Sequence, residues 1–281
     1  MKYVSLLSCF VLSSASYGAV SLDLDFGNAD LQTNLSFTGV IDYGVVSYGV
    51  DNGYSDVYAR LSVVSTAGNS YSAGTDGGSG GAVGDGKINQ AGNTSTQYVL
   101  SLYEDSGYTQ LFDPGTSFSF DLFFYDIDGA SDSDPITSNA EAANATYYDD
   151  YYDIVTVYTA STYEVTADSR LDISTDPFTG AVSASGIDGG GVEGQAGLTS
   201  FELYQANVAI SFTFTDEAEI YFGYEVVGDG GTTSGRNLLF DGNNLTFDGI
   251  DTPIGAVPEP SSFAALAALL GLASGFHRRR K

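Results

Sequence analysis

The sequence predicts an all-β protein, an antiparallel β-sandwich of the jelly-roll kind, from its composition and its pattern of alternation. The chain of 281 residues contains 35 glycines, 20 tyrosines and 17 phenylalanines, but only 6 prolines and no tryptophan. Aromatic side chains suit a half-buried pleated surface, and glycine suits tight turns. Many short segments alternate apolar and polar residues, and no fixed-period repeat indicates a solenoid or a propeller. This length allows one large sandwich with a proper core.

The first 18 residues predict a secretory signal peptide. Lys2 precedes an apolar stretch, Val4–Leu12, and small residues follow up to a cleavage site near Gly18–Ala19. Cys9, the single cysteine, lies inside this peptide, and too little apolar sequence precedes it to favour a lipoprotein. We therefore divide the chain into a signal peptide (1–18), a β-sandwich domain (19–250), a linker (251–256) and a C-terminal signal (257–281).

The first half of the domain shows three alternating segments. Strands are predicted over Val20–Phe26, over Asp56–Val64 after a turn at Asp51–Gly53, and over Gln97–Tyr103. Between the second and third strands, Gly68–Gly92 is rich in Gly, Ser, Asn and Asp, which predicts a long loop.

The strongest strand signal is SFSFDLFFYD, residues 117–126, where Phe118, Phe120, Leu122 and Phe124 share one face. A polar insertion follows, in which Ser138–Ala145 fits one or two helical turns capped by Ser138. The chain then returns to an extended pattern.

Four further segments complete the predicted sandwich. They are Tyr152–Ala160, Asn207–Thr215, Glu219–Val227 and Asn237–Gly249. The second and third of these alternate around TDEA, which predicts an antiparallel hairpin. A division into two smaller β-domains near Gly180–Gly197 is the alternative, and we expect one domain.

The charge of the predicted domain excludes several function classes. All 36 acidic residues except Glu259 lie between Ala19 and Ala256, and the basic residues there are only Arg60, Lys87, Arg170 and Arg236, a net charge of −31. Such a negative field repels phosphate, so nucleic acid is excluded as a partner. The same segment has no Cys and no His, which excludes disulfides, a thiol nucleophile, an imidazole base and a Cys/His zinc site.

The densest group of carboxylates follows the strongest strand. Asp126-Ile127-Asp128-Gly129 places two carboxylates at one rim of the sheet, and Asp153 begins a later strand near the same rim. Calcium takes 6–8 oxygen ligands, which carboxylates and loop carbonyls supply, so these three aspartates are a candidate structural calcium site. The spacing is not that of an EF-hand, because Ala130 stands at the third ligand position.

The alternative is that these aspartates simply make solvated turns, as the many other Asp-Gly pairs in the chain do. Asp241, Asn243 and Asn244 form a second, weaker calcium candidate. The glycine-rich stretch Gly77–Gly86 lacks the pattern of a phosphate-binding loop.

Tyrosines cluster beside the acidic insertion. Tyr147, Tyr148, Tyr151 and Tyr152 surround Asp149, Asp150 and Asp153, and aromatic faces ringed by carboxylates hold sugars by stacking and hydrogen bonding. The alternative is that these rings cover an edge of the sandwich. A pair of carboxylates also suffices for glycoside hydrolysis, but with this many acids such a pair discriminates little.

The end of the sequence differs from everything before it. Phe263–Phe276 is an uncharged apolar run of 14 residues, a predicted short helix of roughly 21 Å against a bilayer core of about 30 Å. Arg278, Arg279, Arg280 and Lys281 follow it and are expected to stay on the cytoplasmic side, with the acidic domain outside.

Val257-Pro258-Glu259-Pro260, the apolar helix and the basic end occur in the order of the PEP-CTERM protein-sorting signal of Gram-negative bacteria, which this tail resembles. The resemblance implies processing by exosortase, a membrane enzyme similar to cysteine proteases. It also implies export through the inner membrane and then release or attachment at the cell surface, often in an exopolysaccharide matrix. It implies no activity for the exported domain.

The sequence therefore predicts a non-enzymatic exported protein of the cell envelope or extracellular matrix. A calcium-stabilised carbohydrate-binding module is the alternative from a second class, and a carboxylate-dependent polysaccharide hydrolase is a weaker third.

Overall fold

A computed structural model gives the architecture. It describes residues 19–26, 39–67, 71–75, 86–90, 92–127, 129–130, 151–167, 169–186, 208–227, 236–242 and 254–256. The elements in chain order are β1 (Val20–Ser21), β2 (Val40–Ser47), α1 (Gly49–Asn52), β3 (Val57–Ala67), β4 (Tyr71–Thr75), β5 (Gly86–Gln90), β6 (Thr94–Tyr103), β7 (Phe118–Tyr125), β8 (Gly129–Ala130), β9 (Tyr151–Val157), β10 (Thr162–Glu164), β11 (Asp172–Thr175), β12 (Val182–Ser185), β13 (Ile210–Thr215), β14 (Glu219–Val227), β15 (Arg236–Asp241) and β16 (Ile254–Ala256).

The strands form two sheets that pack face to face. Sheet A has the order β16-β10-β13-β7-β15-β5-β4, with β1 beside β7, and sheet B has the order β11-β12-β9-β14-β6-β3-β2, with β8 beside β9. Pairing is antiparallel except between β1 and β7. The predicted fold class, an antiparallel β-sandwich, is confirmed.

Aromatic rings fill the space between the sheets. Phe124 of sheet A contacts Phe222 of sheet B with ring centroids 5.1 Å apart, and Tyr98 stacks on Phe222 at 5.3 Å. Phe26 and Phe240 meet edge to face at 5.1 Å. Buried residues from before and after the glycine-rich stretch 180–197 belong to this one core, so strands from both sides of that stretch pack together.

A buried amide joins the two sheets by hydrogen bonds. Gln90, on β5 of sheet A, has no exposed surface, and its Nε2 donates to the Tyr224 carbonyl oxygen of sheet B at 3.0 Å. Its Oε1 accepts a hydrogen bond from the Tyr98 hydroxyl at 2.8 Å, and Nε2 also donates to Thr94 Oγ1 at 3.2 Å. Buried polar groups are tolerated when they are satisfied in this way.

The predicted loop over Gly68–Gly92 is wrong, because two strands of sheet A, β4 and β5, lie within it. The inward positions of β5 are Gly86, Ile88 and Gln90, so only one of the three is apolar. A Cβ at Gly86 would collide with the ring of Phe240, which occupies the space a side chain would take. The sequence of β5 therefore lacks the usual apolar alternation. Gly86 leaves room for the Phe240 ring, and Gln90 is buried with its amide hydrogen-bonded.

The predicted hairpin of Asn207–Thr215 with Glu219–Val227 is also wrong. Both strands exist, but β13 pairs with β7 and β10 in sheet A, whereas β14 pairs with β6 and β9 in sheet B. Asp216 makes the corner with φ +58°, and its Oδ1 accepts the Phe118 N–H at 2.8 Å. Alternation shows only that each strand has one buried face. It does not distinguish a neighbour in the same sheet from a partner across the core.

At both ends of the domain, the extent of strand pairing differs from that predicted by the sequence pattern. Only Val20–Ser21 of the predicted first strand pairs with β7, although Leu22, Leu24 and Phe26 are fully buried as the alternation requires. Ile254–Ala256, inside the segment predicted as a linker, pairs with β10 as the edge strand β16. A strand of three residues is too short to give a pattern.

The strand register places five connections at one end of the sandwich, which we call the α1 end. They are residues 48–56, 104–117, 158–161, 176–181 and 216–218. In sheet B, Tyr58 pairs with Tyr103, Glu219 with Ser101, and Val157 with both Phe222 and Val182. The end of β7 and the start of β9 lie at the opposite end.

Replacing Tyr98 by Phe tests the hydrogen bonds that join the sheets. The substitution removes the hydroxyl donor and leaves Gln90 Oε1 buried, so the free energy of unfolding should fall by about 1–3 kcal/mol. Urea unfolding measures this change. Tyr221→Phe, at a side chain 39% exposed, is the matched control and should change stability by less than about 0.5 kcal/mol. Equal stability of the two variants would contradict this role for the amide.

Candidate functional site

A buried carboxyl group marks the end of the sandwich opposite α1. Asp153 lies on the inward face of β9, in line with the core residues Val155 and Val157, and has no exposed surface. Its neighbour across the ladder is Val226 of β14. An acidic residue thus occupies a core position at which the alternation of the strand predicts an apolar residue.

Asp126 is brought to the same place by the turn that leaves β7. Leu122, Phe123, Phe124 and Tyr125 are all buried, so β7 is covered on both faces as it ends. Asp126 then adopts φ +65°, which few residues other than Gly, Asn and Asp accept.

The chain after Asp126 folds back over β9. The Ile127 N–H donates to the Val208 carbonyl oxygen at 3.2 Å, and Gly129 pairs with Tyr152 of β9. A Cβ at Gly129 would collide with the carbonyl of Gly186, whose own N–H donates to the Asp153 carbonyl oxygen at 3.0 Å. Residue 129 must therefore be glycine, and the backbone at Gly129 and Gly186 encloses Asp153.

The electrostatics of this corner favour a protonated Asp153. Burial raises the pKa of the Asp153 carboxyl well above its usual range, the negative charge of Asp126 raises it further, and the neighbouring Tyr224 hydroxyl opposes the rise. The pKa of Tyr224, which is itself fully buried on β14, is raised by its burial and by both aspartates. The structure brings Asp126 and Asp153 close enough for their charges to interact.

The described part of this corner can hold a proton or contribute two carboxylates to a cation. Asp153 has no exposed surface, so it cannot contact a dissolved substrate directly. Among the described residues, no group of three or more His, Cys, Asp or Glu side chains is arranged to hold a metal ion. Asp128, the third predicted calcium ligand, lies outside the described residues, and the calcium site stays a prediction.

The other predicted site residues are placed as follows. Tyr152 is half-buried on β9, and the backbone of Tyr151 pairs with Ala130. Asp241, of the second calcium candidate, is buried, and its Oδ1 accepts the Phe26 N–H at 3.1 Å, which gives it a structural role. Outside the described residues lie Tyr147 and Tyr148, Asn243 and Asn244, the sorting motif Val257–Pro260 and the basic end Arg278–Lys281. Within the part of the chain that the structure describes, no helix has the length and apolar character to cross a bilayer.

A cation–aromatic cluster that no sequence pattern predicts lies on the outer face of sheet B. The Arg60 guanidinium lies 4.2 Å from the centroid of the Tyr108 ring and pairs with Asp42. Tyr108 also meets Tyr58 and Tyr103 edge to face. These residues are distant in sequence and join only through the register of β2, β3 and β6, so no local motif could have indicated them. The Tyr108 hydroxyl accepts the Gly44 N–H at 3.2 Å, which ties the 104–117 connection to the sheet.

Comparison with known proteins identifies no family. No family model matches the chain, and no curated protein matches it. Among solved structures, the adhesin domain of PrgB from Enterococcus faecalis bound to DNA aligns with a TM-score of 0.37 and 13% identity, over 68% of this chain and 62% of that chain. A second structure of that adhesin domain gives the same TM-score and identity over 58% of its chain. The match spans less than two thirds of that domain, and a likeness this distant bears on no site or ligand.

Replacing Asp153 by Asn tests the raised pKa. Because the folded carboxyl keeps a proton that the unfolded chain releases near pH 4, this group reduces stability as pH rises from about 4 toward the folded pKa. Asn cannot ionise. In the variant, the unfolding free energy measured with chelator present should therefore no longer fall as pH rises through this range.

Asp176→Asn is the control of opposite sign. Hydrogen bonds from the N–H groups of Thr179 and Phe178 lower the pKa of Asp176, so its stabilisation is lost as pH falls through that pKa. Parallel stability curves for wild type and Asp153→Asn from about pH 4 to 8 would show that Asp153 is ionised in the folded protein.

Proposed function

We propose that the chain is a non-enzymatic exported protein, sorted by a PEP-CTERM tail to the envelope or extracellular matrix of a Gram-negative bacterium. The observation that carries the proposal is where the sorting sequence begins. Val257 follows Ala256 directly, and Ala256 is the last residue of the edge strand β16. A closed sandwich is thus followed at once by Pro-Glu-Pro, the apolar segment and the basic end, as expected for a cargo joined to its sorting signal.

The chemistry of the described residues supports a structural rather than a catalytic role. The segment between Ala19 and Ala256 contains no His and no Cys. Among the described carboxyl groups, the one whose pKa is raised most, Asp153, has no exposed surface. General acid–base catalysis needs a group within hydrogen-bond reach of a substrate. A polysaccharide hydrolase is therefore less well supported than a matrix protein.

A carbohydrate-binding module stiffened by calcium is the second candidate, and the paired aspartates favour it. Asp126 and Asp153 repel each other in a buried corner. A calcium ion there would replace the proton, hold both carboxylates ionised and fix the turn that carries Asp126 onto β9. Tyr152, half-buried on the same strand, is the member of the predicted sugar-binding tyrosine cluster whose side chain the structure describes.

Sorting is tested by neutralising the basic end. Replacing Arg278, Arg279, Arg280 and Lys281 by Gln should impair both membrane retention and processing. These cations are expected to stay in the cytoplasm and so to anchor that end of the apolar segment. Mass spectrometry of the mature C-terminus in a host with exosortase measures the outcome. Arg170→Gln, at an exposed position of the sandwich, is the control and should be processed normally. Normal processing of the tail variant would contradict the proposed sorting signal.

The second candidate predicts calcium-dependent stability and glycan binding. Calcium at 100 times its dissociation constant should add about 2.7 kcal/mol to the unfolding free energy. Asp126→Asn should abolish this gain, whereas Asp172→Asn, at an exposed site, should keep it. Binding on a glycan array should disappear with chelator. A thermal midpoint that calcium leaves unchanged would exclude the calcium site, and an empty array would exclude the binding module.

A further inference from the structure

Exposed apolar side chains concentrate at the α1 end. Nine large apolar side chains are exposed among the described residues, and six of them lie in the connections of this end. Val50 is 91% exposed and Phe178 is 87% exposed, far more than the rest. The other four are Tyr48, Tyr54, Leu111 and Tyr158. Single exposed apolar residues are ordinary, but a set gathered on one surface marks an interaction site.

The six side chains follow the order of the strands in sheet B. Phe178 lies between β11 and β12, Tyr158 follows β9, Leu111 follows β6, and Tyr48, Val50 and Tyr54 lie between β2 and β3. Neighbouring strands are about 4.8 Å apart, so the row extends over roughly 25–30 Å. It runs across the whole width of the sandwich.

The two most exposed side chains stand on turns that are held firmly. The Gly49 N–H, beside Val50, donates to Asp56 Oδ1 at 2.8 Å. The Phe178 N–H donates to Asp176 Oδ1 at 2.7 Å, and the Gly180 N–H closes the same turn on the Asp176 carbonyl. A partner therefore gains these apolar contacts without paying to order the turns.

The chain leaves the sandwich toward this same end. β16 is antiparallel to β10, which begins at Thr162 directly after the 158–161 connection, and Ala256 pairs with Thr162. β16 therefore runs toward the α1 end. Only six residues, Val257 to Ser262, separate it from the apolar segment Phe263–Phe276. Six extended residues reach about 20 Å.

We propose that the α1 end docks on the surface of the bilayer that holds the apolar segment, with Val50 and Phe178 entering the interface. This inference rests on the proposed membrane insertion of the tail. The short connection holds the sandwich next to the bilayer at a high effective concentration, so weak contacts suffice. Tyr48 and Tyr54 suit the headgroup level, where amphipathic rings collect.

Charge determines which lipids this surface accepts. The five connections of the α1 end contain eight acidic residues and no Lys, Arg or His. The acidic residues are Asp51, Asp56, Glu104, Asp105, Asp113, Asp176, Asp216 and Glu217. Anionic headgroups therefore repel this end. Docking should be strongest on zwitterionic phosphatidylcholine, weaker when phosphatidylglycerol is added, and restored by salt.

The absence of tryptophan from the chain allows a direct test. Val50→Trp and Phe178→Trp each give the full chain a single reporter at the α1 end. Val40→Trp is the matched control, because Val40 is 45% exposed and begins β2 at the opposite end. After reconstitution in phosphatidylcholine vesicles, brominated lipid should quench the first two reporters and shift their emission to the blue. The control should be unaffected.

Each result decides a different point. If alkaline carbonate releases the chain from the vesicles, the tail does not insert, and both the proposed function and the docking are wrong. If the chain is retained but all three reporters respond alike, the tail inserts and only the docking is wrong. If soluble polysaccharide, rather than lipid, shifts the two reporters, the α1 end binds a polymer, which also overturns the proposal.

Discussion

The structure depends on the burial of one continuous aromatic layer between two sheets. The segment from Ala19 to Ala256 contains no cysteine, so no disulfide holds the sheets together, and 35 acidic residues repel one another across the surface. Phe124, Phe222 and Phe240 meet near the middle of this layer. Burial of apolar area is the dominant favourable term in folding, and here it must also offset an unusually large surface repulsion.

Buried polar side chains within this layer include Gln90 and Asp153. Gln90 joins β5 to β14, and the Asp153–Tyr224 pair lies on β9 and β14 beside the turn at Asp126. Gln90 is satisfied by neutral partners. Asp153 instead depends on a proton or a cation to lower the cost of its burial. The stability of the corner that contains Asp126 and Asp153 therefore depends on pH.

Much of this architecture could be predicted from local patterns, and the failures have physical reasons. Strands with strict alternation, such as Phe118–Tyr125, were predicted correctly because one face is buried along their whole length. β5 was missed because its inward residues include Gly86 and Gln90, whose roles depend on Phe240 and Tyr98. The pairing of β13 and the cluster around Tyr108 depend on register between distant strands, which alternation does not encode.

The proposed function requires that the C-terminal tail enters the membrane and holds the acidic sandwich outside the cell. Protease treatment of intact cells and of spheroplasts, followed by mass spectrometry of the surviving peptides, tests it most directly. We expect the untreated protein to begin at Ala19, and its sandwich peptides to be lost when protease reaches the outer side of the inner membrane. Intact sandwich in the cytosol, still carrying both the leader and the basic end, would show that the protein is not exported.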